Sequence, residues 1–561
     1  MTSLLRHTLR LRESWPSARF DRLCERPQQT QAAVLRRLLD SNADTAFGVD
    51  HGFSSISCPT DYASRVPVRN YDNLLPYVNR AVAGEGKVLT NHPPATFATT
   101  SGTTGDPKFI PVTAPWRDQM AALSRLWMYR AVVDHPRCFD HKVLLMTSPA
   151  VEGHTPGGVP YGAMSGIAYR SVPWVVRSQY AVPYEVSLIT DYDVRYFVIL
   201  RFALAHSVSV VAAPNPRSLL RLAEVAGQRF EDLLRAIADG TLGVRRQDLL
   251  SDQAISKGEL LSTLERGLRP DPDRARELET IVGGRETITL ADCWPELALV
   301  GCWLGGNAGI QARWLQPHFG ESTPVRDLGL IASEGRMTVP IEDSSSAGVL
   351  AVHTTFYEFI PEEAIGEPDP PVLLAHEVVE GGRYYIILSG GNGLYRYDIN
   401  DVVEVSGFHR RTPKVAFVRK GRDMMSITGE KLHLNHVLAA VRDAERESSL
   451  GVFQFRLIPD VDNNRYDLLV ECQEERAVLR AFLSAFEESL RRQNHEYASK
   501  RASGRLGAPL LHMMRDGWSE RICRTDFDDG RRELQHKWNV LVPAWDQGSR
   551  ADVTATIETS L

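Results

Sequence analysis

A chain of 561 residues exceeds what one hydrophobic core usually serves, so at least two domains are expected. Hydrophobic residues make up 43% and charged residues 24%, an ordinary globular balance that needs no metal or disulfide staple. The net charge of −6, from 64 basic and 70 acidic residues without a basic run, excludes nucleic acid as an expected partner. A small anionic ligand stays open, because a basic pocket can sit on an acidic protein.

In chain order, the first part, to about Arg80, reads as helices. Gln28–Asp40 carries Ala32, Leu35, Leu38 and Leu39 at helical spacing. A more extended region begins at Val66-Pro67-Val68. The middle alternates short apolar strands with helices. Strands are expected at Val143–Thr147, Ser207–Ala213, Leu297–Trp303, Val325–Ile331, Val349–Thr355, Val372–Val379 and Tyr384–Leu388. Helices are expected at Tyr192–Ala205 and Leu219–Asp239. The mixture predicts an α/β body with a substantial β component. Beyond Lys420-Gly421-Arg422-Asp423 the pattern becomes compact: helix Leu434–Glu445, strands Phe453–Ile458 and Tyr466–Glu471, helix Glu474–Arg492 and strand Leu510–Met514. That is a small α+β domain. The chain therefore divides into residues 1–422 and 423–561, and the stretch from about Asp546 reads as a polar tail.

The seven cysteines are widely spaced and contain no CxxC, which points to reduced thiols rather than a disulfide framework or zinc site. The start, MTSLLRHTLRLRESW, lacks the pattern of a signal peptide, and no stretch approaches the ~20 apolar residues of a membrane span. A cytoplasmic monomer with no membrane partner is the expectation. HExxH, GxSxG and a strand-linked GxGxxG are all missing. The sixteen histidines show no metal-ligand spacing, and His495 and His512 read as surface or packing residues.

The strongest local signal is Phe97-Ala-Thr-Thr-Ser-Gly-Thr-Thr-Gly-Asp-Pro-Lys108. Glycines let a backbone turn tightly and offer its N–H groups to an anion. The hydroxyls of Thr100, Ser101, Thr103 and Thr104 around Gly102 add donors, and Lys108 adds a point charge. Together they suit a polyphosphate, although the string is not a P-loop. A plain Ser/Thr/Gly surface turn has the same composition. The closely following lysine and the strand-like Phe109-Ile110-Pro111 favour the phosphate reading.

The string T-S-G-T-T-G-x-P-K resembles the phosphate loop of the acyl-adenylate-forming superfamily. Its extension, T-S-G-T-T-G-D-P-K-F-I-P-V-T, resembles more closely the auxin-responsive, GH3-like acyl acid amido synthetase family, including its bacterial members. Further strings follow in the order such a protein requires. Gly301-Cys-Trp-Leu-Gly-Gly-Asn-Ala-Gly309 is similar to the glycine segment between adenine and the acyl group, placing Gly305 and Gly306 against nucleotide. Asp327-Leu-Gly-Leu-Ile-Ala-Ser-Glu-Gly-Arg336 resembles the segment ending in Ser333-Glu334. The resemblance gives Glu334 the role of holding Mg²⁺, and a carboxylate oxygen suits that hard cation. Phe356-Tyr-Glu-Phe-Ile-Pro361 resembles a family hallmark whose role is packing at most.

Gly393-Leu-Tyr-Arg-Tyr-Asp-Ile-Asn-Asp401 resembles another hallmark. The implied role of Asp401 is to accept hydrogen bonds from both ribose hydroxyls, which one carboxylate can do. Many members carry Arg and Gly where this chain has Asp398 and Asn400. Arg419-Lys-Gly-Arg-Asp423 is similar to the superfamily hinge, with Asp423 at the hinge and Arg422 directed to ribose or phosphate. Gln535-His-Lys537 resembles the C-terminal Gln-x-Lys. Trp174 is a further candidate for lining an acyl pocket.

The resemblance runs from about Gln28 to Val542. It implies a large adenylate-forming domain of β-sheets with flanking helices and a small β-barrel, followed by a smaller α+β domain. It also implies ATP and Mg²⁺ as cofactors, a small carboxylic acid as substrate and an amine, an amino acid in the relatives, as acceptor. Lys108 and Lys537 would be the catalytic lysines. Two alternatives stay open: an acyl-CoA ligase, and a nucleotide-binding relative without catalysis.

Overall fold

Five helices open the chain, at Thr2–Cys24, Pro27–Asn42, Ala46–Asp50, Pro59–Arg65 and Tyr71–Val82, and their starts follow capping chemistry. Pro27 and Pro59 sit at first helical positions, where the missing N–H costs nothing. Asn70 closes a capping box with Asn73. In the second helix Val34, Leu35, Leu38 and Leu39 are buried as one stripe. Its Gln31 is buried too: the side-chain amide donates to the carbonyls of Val352 and Thr355 at 2.6 and 2.7 Å, and its oxygen accepts the Tyr357 N–H at 2.8 Å. One amide thus satisfies three buried backbone groups and pins the helix to the main sheet.

The computed structural model describes residues 2–100, 108–245, 249, 257–283, 288–365, 367–421, 424–428, 430, 432–502, 505–528 and 538–558. It falls into two compact units. The first holds Met1–Gly305 and Leu315–Phe417; the second holds Gly306–Trp314 and the described chain from Val418 on.

Among the described residues, three larger sheets and one two-stranded sheet build the first unit. One is parallel, in the order Lys142–Leu145, Val208–Ala212, Leu299–Cys302, Val325–Asp327. A second contains the hairpin Pro94–Thr100 and Lys108–Thr113 beside Pro160–Gly162 and Gly153–His154. The third has seven strands, ordered Thr338–Val339, Ala347–Leu350, Thr412–Lys420, Tyr397–His409, Arg383–Ser389, Phe356–Pro361, Leu373–Leu374. The mixed α/β class is as the sequence implies.

Several expected strands are shorter. Val325–Ile331 breaks after Asp327, because Gly329 adopts φ +100 and the chain turns into the small hairpin Ile331–Ala332 and Gly335–Arg336. The strand expected at Val349–Thr355 ends at Leu350, where a turn closes from Thr354 N–H to the Ala351 carbonyl. Only Leu373–Leu374 of Val372–Val379 pairs, since Glu377 caps the turn that follows by accepting the Leu374 N–H.

In the second unit, Phe455–Asp460, Arg465–Glu471, Leu510–Met514 and Val553–Glu558 form one sheet. It shares a core with helices Leu434–Ser448 and Arg476–Gln493 through Val437, Val441, Leu468, Phe482 and Phe486. The expected polar tail from Asp546 is instead structured. Asp546 caps the helix Gln547–Ala551, and Val553–Glu558 pairs antiparallel with Leu510–Met514, burying Ile557. Alternation of small polar and apolar residues disguised an edge strand as a tail. His512 packs in this sheet, edge-on to Trp545 with ring centroids 5.0 Å apart.

A deeply buried ion pair in the first unit joins Arg396 to Glu358, 3.0 Å apart and respectively 4% and 2% exposed. The Arg396 guanidinium also donates to the carbonyls of Ala63 and Val66, and its backbone N–H donates to Ser389 Oγ. Arg396→Met would leave a buried carboxylate alone. The expected cost is about 3–5 kcal/mol of stability, read as a shift of the first unit's denaturation midpoint, with part of it recovered in Glu358→Leu/Arg396→Met. A loss no larger than the ~0–1 kcal/mol of a surface pair would show that this tie is not structural.

Candidate active site

The parallel sheet ends together at Leu145, Ala212, Cys302 and Asp327, and ligands of open α/β sheets bind at such carboxyl ends. Two turns leave this edge. The first, after Cys302, leads through Leu304 to Gly305 and Gly306. A Cβ on Gly305 would stand 3.0 Å from the Phe417 carbonyl oxygen, so the backbone is closely packed there. Gly306, at φ +55, begins the helix Gly306–Ala312, which belongs to the second unit. The second turn, after Asp327, leads to a two-residue hairpin whose tip is Ser333-Glu334, between the paired Ala332 and Gly335. Ser333 is buried and Glu334 half-buried.

The buried Asp327 carboxylate joins the two turns, accepting the N–H of Leu304 at 2.6 Å and of Gly329 at 2.5 Å. Burial pushes its carboxyl up to about 6, against the lowering effect of those two N–H groups and of Arg336. Arg336 is buried as well, which pushes its guanidinium down to about 10.

Lys108 opens its strand opposite Thr100, its cross-strand partner. Its ammonium lies 5.3 Å from the ring centroid of Tyr71, within cation–π range. The Tyr71 hydroxyl accepts the Phe109 N–H at 2.7 Å, so this ring fixes the entry of the strand. Burial raises the Tyr71 hydroxyl's pKa, and the Glu334 charge raises it further. Tyr397, also buried, is raised for the same two reasons, burial first and Glu334 second. Lys108 lies over Tyr71, and the Glu334 charge acts on the hydroxyls of both Tyr71 and Tyr397. The fully buried Asn392 donates from Nδ2 to the Glu334 carbonyl at 3.0 Å, holding the hairpin tip.

Asp401 is 3% exposed in the strand Tyr397–His409. The pairing with Arg383–Ser389 slips there, from Tyr385↔Val402 to Ile387↔Asp398. Asn400 takes φ +62 in this irregularity, and its N–H is accepted by the Asp398 side chain at 2.6 Å. After glycine, asparagine is among the residues that adopt this left-handed conformation most readily.

Ser101, Gly102, Thr103, Thr104, Arg422, Asp423 and Lys537 lie outside the described residues, as does the side chain of Thr100. Trp174 is 70% exposed. Sequence reasoning missed Tyr71, Tyr397, Asn392, Asp327 and Arg336 as site residues. Three of them lie inside strings already singled out, Asp327 and Arg336 at the two ends of one and Tyr397 within another. Tyr71 and Asn392 carry no local signal.

Comparison with known proteins identifies the family. Models of the GH3 family N-terminal, central and C-terminal domains match residues 17–325, 348–420 and 435–544. The chain is 23% identical over 536 residues to an indole-3-acetic acid-amido synthetase, GH3.3, of Arabidopsis thaliana, covering 90% of this chain and 88% of that protein. It is 24% identical to the jasmonoyl--L-amino acid synthetase JAR6 of Nicotiana attenuata, covering 90% of this chain and 89% of that one. The solved structure of the AtGH3.15 acyl acid amido synthetase in complex with 2,4-DB shares the fold, with a TM-score of 0.84 over 97% of this chain and 96% of that chain at 19% identity. With family models matching its beginning, middle and end in order, the chain belongs to the GH3 family.

Proposed function

We propose that this protein is an ATP-dependent ligase that adenylates a carboxylic acid and passes the acyl group to an amine, an amino acid by analogy with its amido synthetase relatives. The observation that carries the reading is Lys108 over Tyr71, a ring whose hydroxyl also feels the Glu334 charge, at the start of the strand that follows the Thr/Ser/Gly string in sequence. A cation and a carboxylate acting on one ring, next in sequence to a hydroxyl- and glycine-rich segment, suit a nucleotide triphosphate with its metal.

A carboxylate is a poor electrophile, being anionic and without a leaving group. In the first step its oxygen attacks the α-phosphorus of ATP, and the bond to pyrophosphate breaks. The product is a mixed anhydride whose leaving group is AMP. Lys108 then neutralises charge moving onto the departing phosphates. Among the described residues no group of three or more His, Cys, Asp or Glu side chains is placed to hold a metal. Glu334 alone fits the habit of Mg²⁺, which takes one or two carboxylates and completes its shell with phosphate oxygens and water. Mg²⁺ held this way would screen the phosphate charge. Asp401 accepts the ribose hydroxyls, Gly305 and Gly306 give the base close approach to backbone, and Ser333 lines the hairpin tip. Arg422 and Lys537 are assigned to the phosphates on their sequence strings alone. In the second step the neutral amine attacks the acyl carbon, AMP leaves, and the nitrogen gives up a proton. Alignment of the two reactants supplies much of the rate in both steps.

The experiment that tests the reading is acid-dependent exchange of labelled pyrophosphate into ATP across aromatic, indolic and fatty acids. At least one acid is expected to support exchange, and Lys108→Ala should slow it by roughly 10²–10³. No exchange with any acid, in protein that still binds ATP, overturns the proposal; AMP release dependent on a thiol instead of an amine moves it to an acyl-CoA ligase.

Asp401→Ala should weaken ATP binding by about 1.5–3 kcal/mol, the range for hydrogen bonds to a charged group, without unfolding the protein. Calorimetric titration reads this directly, and an unchanged affinity would place the ribose elsewhere.

Glu334→Gln removes the proposed metal ligand while keeping its shape. The variant should need more Mg²⁺ for half-maximal exchange. A Mg²⁺ titration that superimposes on the parent's removes Glu334 from the metal site.

A further inference from the structure

We propose that Asp327 is a positioning residue: its ionised carboxylate locks the turn carrying Leu304 and Gly305 to the turn carrying Gly329 and Glu334, in the spacing that adenylation requires. This rests on the adenylation reading above.

The geometry is that of a staple. The two carboxylate oxygens divide between the two turns, Oδ2 accepting from Leu304 and Oδ1 from Gly329. The residue's own carbonyl is held by Trp127, whose Nε1–H donates to it at 2.9 Å. Gly329, at φ +100, packs so that a Cβ would lie 2.6 Å from the Thr338 carbonyl oxygen, so this turn is built for glycine alone. The Arg336 guanidinium is directed to the Leu328 carbonyl at 2.6 Å and to Ser124 Oγ at 3.2 Å, so it steadies the same turn without joining the carboxylate.

A structural role alone does not explain an acid here. Burying a charge without a contacting counter-charge is unfavourable, so a neutral side chain would hold the strand end at less cost. Only an ionised carboxylate offers an acceptor to both N–H groups at once. The isosteric amide has one carbonyl oxygen and would turn an NH₂ toward the other N–H.

Ionisation therefore sets two properties in opposite directions. Burial raises the carboxyl to about 6, above the unfolded value of 3.8. The folded state binds the proton more tightly than the unfolded one, so stability rises as pH falls through about 6 toward 4. Protonation over the same range removes one of the two acceptors, so activity falls. The ionisable groups facing Asp327 are Arg336, which stays charged across this range, and the Cys302 thiol, which burial and Asp327 together push well above its usual value. The neighbouring Arg326 is engaged with Asp134 and Asp343 at 2.8 and 2.7 Å.

The test compares the full-length parent with Asp327→Asn between about pH 5 and 8, reading pyrophosphate exchange, ATP binding and melting temperature. The parent should lose exchange on acidification through pH 6, with the midpoint set by kcat rather than KM for the acid. The variant should be slower by on the order of 10²-fold at neutral pH, as for a misplacement near 1 Å. It should bind ATP on the order of tenfold more weakly, about one lost hydrogen bond. Its acid limb should vanish, and it should lack the stability that the parent gains on acidification. The same acid limb in both proteins, or equal exchange rates, overturns the role of Asp327. Nucleotide titration needs no acid substrate and separates the two readings. A parent that binds ATP but exchanges nothing overturns the ligase assignment; a variant that binds ATP with the parent's affinity and pH dependence overturns the staple. Should the variant not fold, the parent alone decides: exchange and stability must move oppositely across pH 6.

Discussion

The Glu358–Arg396 pair is the constraint on which the first unit depends, because two charges in a nearly dry site tolerate only one geometry. Each partner lies in a string that resembles a hallmark of the family, Phe356–Pro361 for Glu358 and Gly393–Asp401 for Arg396, and the two strings meet through this contact. Arg396 does more than neutralise. It adopts φ +45, its guanidinium receives the end of the helix Pro59–Arg65, and its carbonyl accepts the Arg69 N–H at 2.9 Å. Ser389 Oγ then links the Arg396 N–H to the Tyr62 hydroxyl. An N-terminal helix, two sheet strands and the start of the Asp401 strand are thereby fixed to one another. Neighbouring aromatic contacts, such as Tyr395 stacked on Phe47 at 4.8 Å, fill the space around the pair with apolar surface that keeps water out.

This arrangement clarifies what the sequence made legible. Strings whose chemistry is local were readable: the Lys108 segment, Ser333-Glu334 and Asp401 all announce themselves by residue type and spacing. Helices with a clear stripe, such as Pro27–Asn42, and buried strands, such as Val208–Ala212, carry period and length that propensity alone can recognise. Residues that act through a partner distant in sequence were not readable. Asn392 looks like a turn residue until the Glu334 carbonyl, 58 positions earlier, is seen against it. Tyr71 sits in an ordinary helix start, and only the fold brings it to Lys108 and Phe109. Glu358 reads as a polar interruption of an apolar strand, because nothing local shows that Arg396 awaits it.

Errors in the strands share a physical cause. Val325–Ile331 is apolar enough to continue, and Leu328 and Leu330 are half-buried, yet the chain turns at Gly329, whose φ of +100 leaves the strand region, into the hairpin that carries Glu334. Backbone conformation overrides periodicity at that point. The reverse holds at Val553–Glu558, where Thr554 and Thr556 gave the segment a polar look. On an edge strand with one solvated face, alternation of that kind is ordinary. Asn400 belongs to the same class of observation. A departure from the family's usual glycine weakens the match as a string, while the backbone it must adopt is one that asparagine tolerates.

A pattern joins these cases. Most of the candidate site residues stand on or beside turns and strand irregularities, and a turn alone holds geometry poorly. Each turn here is anchored from behind by a buried polar or charged group that faces no solvent: Asn392 behind Glu334, Arg396 before Asp401, Asp327 beneath both turns of the parallel sheet. Such groups add little net stability, and an apolar replacement of equal shape often matches or exceeds them. What they contribute is directional: a hydrogen bond to a backbone N–H or carbonyl fixes position, whereas apolar packing of equal energy leaves a turn free to slide. Reaction rates depend on ångström-scale placement far more steeply than folding does. A protein that must align two anions, a carboxylate and a triphosphate, against their mutual repulsion therefore has reason to hold buried polar anchors directly behind the residues that meet them.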